Sequence, residues 1–392
     1  MTTTRHRHDA VVVGARSAGA ATALLLARAG HDVVVLDRAS FPSDTLSTHS
    51  ISRSGVVQLD RWGLLDAVLD SGAPAIRSVT FHGPGGSVTR TIKERAGVDH
   101  LVAPRRHILD ALVADAAAAA GATVAFGVSV NGVRRDGAGR AVGVTGQDRD
   151  GRPVEIDARV VVGADGLRSR VARAVGAPVV ESRAPSGATH YAYVAGLPWD
   201  GIEFFVSDGA LTGVFPTHGG EACIWVCTPA GPALAARRAT GSPAGAFDTL
   251  VARTAPDLAD RLRDGYRTSP VRSATGLPNQ ALAATGPGWA LVGDAGYHRD
   301  PITGHGISDA FRDADLLATA LDAGLRGDAP MEEALAAFGR QRDAARREIF
   351  AITCALSAFP PVPEFQDLQR RLSAAIEDEA AALAARPLLV PI

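Results

Sequence analysis

Two glycine-rich segments, far apart in the chain, carry residue types that bind a dinucleotide. Residues 11–19 read Val-Val-Val-Gly-Ala-Arg-Ser-Ala-Gly, which is typical of a buried strand turning directly into a helix. Free N–H groups and the dipole at such a helix start favour a pyrophosphate. Residues 291–298 read Leu-Val-Gly-Asp-Ala-Gly-Tyr-His, a second strand end where Asp294 can hold a sugar hydroxyl. Together the segments predict bound FAD and redox chemistry.

The first segment predicts a β-α-β unit. Arg16 stands at the second glycine of G-x-G-x-x-G, where glycine normally lets the backbone approach the pyrophosphate. An Ala- and Leu-rich helix over 20–28 follows, and then an apolar strand ends at Asp37. An acid about twenty residues beyond the loop suits the ribose of a dinucleotide. A purely structural turn is the less favoured alternative.

Length and composition fit a soluble enzyme. The chain has 392 residues, of which 46% are apolar and 21% charged, with a formal net charge of −2, so nothing indicates a nucleic-acid partner. No apolar run is long enough for integral membrane association, and the polar start, 1–9, has no signal-peptide core. We therefore expect a cytoplasmic protein. No Cys or His cluster has zinc spacing, so no metal is predicted.

A third motif lies at residues 158–171, after a predicted hairpin, helix and strand. Residues 76–92 predict a hairpin around Gly85 and Gly86, followed by a helix from 104 to 121 and a strand over 123–133. Residues 158–171 then place Asp165 and Gly166 directly after a buried strand and before a basic helix.

These three segments, in this order, resemble the motifs of single-component FAD-dependent aromatic hydroxylases, the group typified by p-hydroxybenzoate hydroxylase. The loop 41–49 resembles one in a bacterial branch of FAD-dependent oxidoreductases. The resemblance implies an α/β fold, with a Rossmann-like FAD-binding domain interleaved with a mainly antiparallel β-sheet substrate domain and a helical C-terminus. The implied segments are 1–75, 99–180 and 283–325 for the FAD-binding domain, 76–98 for a hairpin joining the substrate domain, 181–282 for the substrate domain, and 326–392 for the C-terminal helices.

The resemblance also assigns cofactor residues. Asp37 corresponds to the adenosine-ribose acid, Arg106 to the arginine of the R-x-x-L helix, and Asp294 to the ribityl or ribose partner. A helix beginning near Ser308 would aim its positive end at the flavin. The full set of implied cofactor-binding residues is Gly14, Arg16, Ser17, Ala18, Gly19, Asp37, Arg38, Arg53, Arg106, Val130, Asp165, Gly166, Asp294, Pro301, Gly304, Gly306 and Ile307. For Arg53 a solvated helix charge is nearly as good an interpretation.

Strand patterns between residues 184 and 282 predict a sheet that covers an apolar or aromatic substrate. Aromatic and histidine side chains there and near the loops are candidates for its lining or for proton transfer, although a core role fits any one of them. They are Tyr191, Tyr193, Trp225, His49, His218, His298 and His305. No catalytic residue is assigned, with Arg53, His49 and His218 as candidates only.

The implied reaction is that of a monooxygenase. NAD(P)H would reduce the flavin as a transient reductant, and molecular oxygen would then give a flavin hydroperoxide that hydroxylates or epoxidises the substrate. A C=C reductase of the geranylgeranyl type uses the same loops, and a halogenase shares the fold but needs a lysine, for which Lys93 is the only candidate. A ligand-binding protein without redox activity is the non-enzyme alternative. The substrate, the choice of NADPH or NADH, and the oligomeric state stay open.

Overall fold

The computed structural model describes residues 6–47, 49–184 and 187–390. Part of the polar N-terminus and residue 48 of the 41–49 loop therefore lie outside the described residues. The strands are β1 (Arg7–Val13), β2 (Val33–Asp37), β3 (Ser78–Gly83), β4 (Gly86–Thr91), β5 (Thr123–Phe126), β6 (Ser129–Arg135), β7 (Ala141–Gln147), β8 (Pro153–Gly163), β9 (Val179–Arg183), β10 (Gly187–Ala195), β11 (Ile202–Ser207), β12 (Ala210–Pro216), β13 (Ala222–Pro229), β14 (Tyr266–Arg267), β15 (Arg272–Thr275), β16 (Asn279–Leu282), β17 (Thr285–Gly286), β18 (Trp289–Leu291) and β19 (Tyr297–His298). The helices are α1 (Ser17–Arg28), α2 (Arg53–Arg61), α3 (Leu65–Asp70), α4 (Arg106–Ala119), α5 (Arg170–Val175), α6 (Ala230–Thr240), α7 (Pro243–Thr254), α8 (Pro256–Arg261), α9 (Gly306–Arg326), α10 (Met331–Leu356) and α11 (Val362–Ala384).

A parallel sheet positions the dinucleotide motifs. Its order is β17-β18-β8-β1-β2-β5, and every pair from β18 to β5 is parallel. The valine runs of β1, β2 and β8 are buried on both faces, as expected for parallel strands under helices. Leu24 of α1, Val113 of α4 and Phe311 of α9 share one core with this sheet. The motif loops therefore leave the same edge.

A second, mainly antiparallel sheet has the order β14-β10-β13-β12-β11-β3-β4, with β15 also paired to β10. The predicted hairpin is present as β3 and β4, and β3 joins this sheet by pairing parallel to β11. Helix α7 packs Phe247 and Leu250 on one face. A three-stranded sheet, β19-β16-β9, completes the structure, so the predicted α/β fold class is confirmed. The segment boundaries stay a prediction.

One local expectation is wrong. The strand predicted over 123–133 is divided into β5 and β6, because Gly127 has a φ of +78° and turns the chain. The helix expected to begin near Ser308 is present as α9, which begins at Gly306. Within the described residues, no helix has both the length and the apolar character needed to cross a bilayer.

Candidate functional site

One cleft of about 940 Å³ runs along the carboxyl edge of the parallel sheet. The loops after β1, β2, β8 and β18 line it and bring Gly14, Asp37, Asp165 and Asp294 to one cavity. Ligands of open α/β sheets bind at this edge of the strands. Tyr191 of β10 also lines the cleft, so the antiparallel sheet supplies part of its wall.

The turn between β1 and α1 depends on two glycines. Gly14 has a φ of +107°, and a Cβ there would lie 2.4 Å from the carbonyl oxygen of Ala164. A Cβ on Gly19 would lie 1.8 Å from the carbonyl oxygen of Gly14. Only glycine therefore lets α1 pack against this loop. Gly14, Ser17 and Ala18 line the cleft, whereas Gly19 supports the loop without lining it.

Arg16 is held by two neighbours. Its guanidinium donates to Asp110 at 2.8 Å and to the carbonyl and hydroxyl oxygens of Ser43, each at 3.0 Å. Arg106 donates to the other oxygen of Asp110 at 3.1 Å. Because two guanidinium groups share one fully buried carboxylate, a net positive charge remains beside the start of α1. Both arginines line the cleft, and this arrangement suits a pyrophosphate.

Asp37 is fixed at the end of β2. Its carboxylate accepts hydrogen bonds from the backbone N–H groups of Ala15 at 2.8 Å and Ala39 at 2.7 Å. The cleft is lined here by Asp37 together with Arg38 and Val130. The fixed carboxylate has the chemistry to accept a hydrogen bond from a ribose hydroxyl.

Asp165 shapes the loop after β8. Its carboxylate accepts from Ser169 Oγ at 2.5 Å and from the Arg170 backbone N–H at 2.6 Å, so it satisfies N–H groups at the start of α5. Arg170 in turn donates to the Val130 carbonyl at 3.2 Å. Asp165 and Gly166 both line the cleft, and the carboxylate is occupied in holding their loop.

The second glycine-rich loop lines the cleft through Asp294, Pro301, Gly304, Gly306 and Ile307. Helix α9 begins at Gly306, and the preceding side chain makes no capping hydrogen bond. Since α9 runs for 21 residues, its first N–H groups place a partial positive charge at the cleft. Two long helices, α1 and α9, therefore begin at this cavity and can stabilise negative charge in it.

Buried ionic groups connect the second loop to α11, a link that no sequence motif indicated. His305, which lines the cleft, contacts Ser52 Oγ and Glu379 through its two ring nitrogens, each at 2.7 Å. Arg312 donates to Glu379 at 2.8 Å and to Asp309 at 2.7 Å. Burial alone would raise the pKa of Glu379, but His305 and Arg312 outweigh it and lower that pKa.

These groups also lie close enough for another kind of site. His305, Asp309 and Glu379 have ligand atoms near enough to hold one metal ion. Arg312 already binds both carboxylates, however, so the described side chains form an ion-pair network there. The sequence prediction of no metal stays a prediction.

The candidate histidines do not all reach the cleft. His49, His298 and His305 line it, and His298 donates to the Pro278 carbonyl at 2.6 Å. His218 is not brought there. Its ring contacts Ser71 Oγ at 3.0 Å, and burial together with nearby positive charge lowers its pKa to about 4. The strand pattern placed His218 at a strand end but gave no direction for its side chain.

Arg53 is also absent from the cleft lining. It is the first residue of α2 and 6% exposed, and its guanidinium pairs with Glu377 of α11 at 2.9 Å. It also donates to the carbonyl oxygens of Lys93 and Val98. Neither the expected position beside the cofactor nor a solvated helix charge describes it, because these acceptors occupy the guanidinium.

All three aromatic candidates, Tyr191, Tyr193 and Trp225, belong to one buried core cluster, with 3% or less of their surface exposed. Tyr191 and Tyr193 share one face of β10, as alternate strand residues do. Of the three, Tyr191 alone also lines the cleft.

Comparison with known proteins places this architecture in a family. Residues 7–352 match the family described as FAD binding domain, and the chain belongs to it. This is the aromatic hydroxylase-like fold of FAD-dependent monooxygenases and oxidoreductases, as the sequence motifs indicated. The resemblance stated from those motifs is confirmed.

Relatives within the fold carry different activities. The chain is 30% identical over 371 residues to the menaquinone reductase of Mycobacterium tuberculosis H37Rv, covering 88% of this chain and 84% of that protein. It is 28% identical over 398 residues to the kynurenine 3-monooxygenase of Salinispora arenicola, covering 94% and 82%. The structure of PqsL, a probable FAD-dependent monooxygenase from Pseudomonas aeruginosa, superimposes with a TM-score of 0.76 at 24% identity, covering 95% and 100%.

Proposed function

We propose that this protein is an NAD(P)H-using, FAD-dependent monooxygenase that transfers an oxygen atom to an apolar or aromatic small molecule. One observation carries the proposal: the dinucleotide loops and Tyr191 of the antiparallel sheet line the same cavity. A cofactor and a substrate bound there would lie against each other and away from bulk water, as oxygen transfer requires.

The cavity residues fit FAD by their chemistry. A Cβ at Gly14 would fill the cradle beside Ala164, and the cations Arg16 and Arg106 adjoin that cradle. These groups would hold the pyrophosphate, while Asp37 would bind the adenosine ribose. On the same grounds, Asp294 would bind a hydroxyl of the ribityl chain. When bound, FAD supplies hydride acceptance and oxygen activation.

The protein's own contribution is binding, orientation and electrostatics. Backbone N–H groups at the start of α9, near Gly306 and Ile307, would stabilise negative charge on the reduced ring. His305 would hold this loop in place, because its ring is fixed between Ser52 and Glu379. The wall around Tyr191 would exclude water and orient the substrate.

A reductase is the second candidate function. The relatedness to a menaquinone reductase over 88% of the chain favours it, since the same cavity would serve electron transfer to a quinone or C=C bond. A halogenase is less favoured, because Lys93, the single lysine, is exposed beside the β3–β4 hairpin and does not line the cleft. A ligand-binding protein without flavin redox activity is the non-enzyme alternative.

Oxygen stoichiometry separates the first two candidates. FAD-loaded protein would be mixed with NADPH or NADH and a panel of phenols, quinones and aromatic amines, with ¹⁸O₂ uptake and product mass recorded. The monooxygenase proposal expects one labelled oxygen atom in the product for each NAD(P)H consumed. A product that forms equally fast without oxygen and carries no label would contradict it in favour of the reductase.

A further inference from the structure

In the chain segment before α2, residues 43, 44 and 47 contact three other parts of the fold. Arg16 binds Ser43, as described above. Arg105, directly before α4, donates to Asp44 at 2.8 Å. The Tyr191 hydroxyl of β10 accepts from the Ser47 backbone N–H at 3.2 Å. These contacts hold the segment at the cleft, which Thr45, Leu46 and Ser47 line.

His49, in this segment, has a strained backbone. Its φ is +68°, a left-handed conformation that residues other than glycine rarely adopt. Such conformations persist where surrounding contacts enforce them, and they cluster at binding and catalytic sites. The tethers of the preceding residues provide that enforcement, so His49 is held in one orientation.

The imidazole of His49 is buried, yet its polar atoms are unsatisfied. The ring is 1% exposed, stacks on Tyr193 with centroids 5.4 Å apart, and meets Tyr191 edge-on at 6.3 Å. Neither ring nitrogen has a hydrogen-bond partner among the described residues, and the same holds for the Tyr193 hydroxyl. Buried polar atoms left in this state are costly, and His49 lines the cleft. The His49 nitrogens therefore have unused hydrogen-bonding capacity at the edge of the cleft.

The guanidinium groups near His49 are already engaged by carboxylates. Arg105 lies over the Tyr193 ring and is bound to two carboxylates, while Arg106 is bound to Asp110. The surplus positive charge lies beside α1, in the part of the cleft proposed for the pyrophosphate. A substrate carboxylate buried beside His49 would therefore lack a free cationic partner, which makes its burial costly.

His49 is neutral in the folded protein, because burial, followed by the charge of Arg106, lowers the pKa of its ring. The region combines aromatic surface with a neutral imidazole that can both donate and accept a hydrogen bond.

We propose that His49 is a substrate-binding residue that selects neutral, oxygen-bearing unsaturated rings, such as phenols and quinones, over aromatic carboxylates. This inference rests on the proposed function, because it assumes that the substrate lies beside Tyr191 in the cofactor cleft. The imidazole hydrogen bonds to the hydroxyl or carbonyl oxygen, and the aromatic side chains contact the ring.

Binding of matched probes to the FAD-loaded protein tests the inference. Isothermal titration with 1-naphthol, 1-naphthoate and naphthalene compares a neutral oxygen, a carboxylate and no polar group on one ring system. We expect 1-naphthol to bind roughly tenfold or more tighter than either of the others, since one well-placed hydrogen bond is worth about that factor.

Two substitutions connect the selectivity to His49. His49→Phe keeps the ring stacking but removes both nitrogens, so 1-naphthol should lose roughly tenfold in affinity while naphthalene is unchanged. His49→Asn keeps a polar group and tolerates the backbone conformation, so its loss should be smaller. His190→Asn is the matched control, because that buried histidine neighbours Tyr191, contacts Ser273 and does not line the cleft.

The outcomes separate this inference from the proposed function. A FAD-loaded protein that binds naphthoate as tightly as naphthol, or whose His49→Phe variant keeps full naphthol affinity, overturns the role of His49 and leaves the flavin proposal standing. Failure of all three probes to bind also overturns it. A chain that takes up no FAD overturns both, whatever the probe affinities.

Discussion

Arg16 and Asp110 form an ion pair of 2.8 Å across 94 residues of sequence, between the first dinucleotide loop and helix α4. The pair accounts for an arginine where the motif has glycine, because its side chain leaves the loop and reaches a buried carboxylate. Arg106 shares that carboxylate, so the pair also places a surplus positive charge at the cleft. We therefore propose that the exception to the motif takes part in binding the pyrophosphate.

Replacing Arg16 tests whether its charge contributes to FAD binding. Arg16→Gly restores the motif glycine, yet we expect it to weaken FAD binding by roughly tenfold, because a charged hydrogen-bond donor and the contact with Ser43 are lost. Arg16→Lys should retain part of the affinity through its charge. FAD affinity is measured by fluorescence titration of the apoprotein. If the Arg16→Gly variant binds FAD more tightly than the wild type, Arg16 does not contribute to FAD binding.

We expect substitutions of Gly19 to be poorly tolerated. A Cβ there would meet the Gly14 carbonyl at 1.8 Å, so Gly19→Ala must displace α1 or the loop. We expect loss of most FAD binding and a lower melting temperature. Gly137→Ala is the matched control, because nothing lies within 4 Å of its added methyl group. Normal FAD content in purified Gly19→Ala would contradict this packing argument.

The cofactor side of the cleft was accessible to sequence reasoning because each motif is local. Each of Gly14, Asp37, Asp165 and Asp294 lies at the end of an apolar strand or within three residues of it, and parallel strands bring such positions to one edge. The order of the motifs also indicated the interleaving of two sheets. Short-range pattern and topology were sufficient there.

Side-chain direction and long-range pairing were not accessible in this way. The position of Arg53 at a helix start could not reveal that Glu377, from α11, occupies its guanidinium. Glu379 belongs to no motif, and its contact with His305 exists only after α11 folds back on α2. The strand predicted over 123–133 failed for a local reason, because one glycine with positive φ ended it.

The buried link between the second loop and α11 should contribute measurable stability. Glu379→Gln removes a carboxylate that accepts from Arg312 and contacts His305, so we expect a loss of about 2 kcal/mol of unfolding free energy. Urea unfolding measures it. Asp378→Asn, at an exposed neighbouring position, should change stability by less than about 0.5 kcal/mol. Equal effects of the two substitutions would rule out a specific role for this network.

His218 should contribute to acid sensitivity. Its pKa in the folded protein is lowered to about 4 from 6.5, by burial first and by His107 and Arg105 next. The unfolded chain then binds more protons than the folded one between those values, so stability is full above about pH 6.5 and falls toward pH 4. His218→Gln should flatten this slope in urea titrations at several pH values. If the slope is unchanged, His218 does not contribute to the acid sensitivity of the fold.

The most direct test of the central claim is the visible spectrum of the purified protein, recorded without oxygen as NADPH and then NADH are added. We expect a flavin absorption band that bleaches on addition of one of the two nucleotides, which would establish a bound flavin that NAD(P)H reduces. A protein that is colourless as purified and cannot be reconstituted with FAD would contradict the proposal that this chain is a working flavoenzyme.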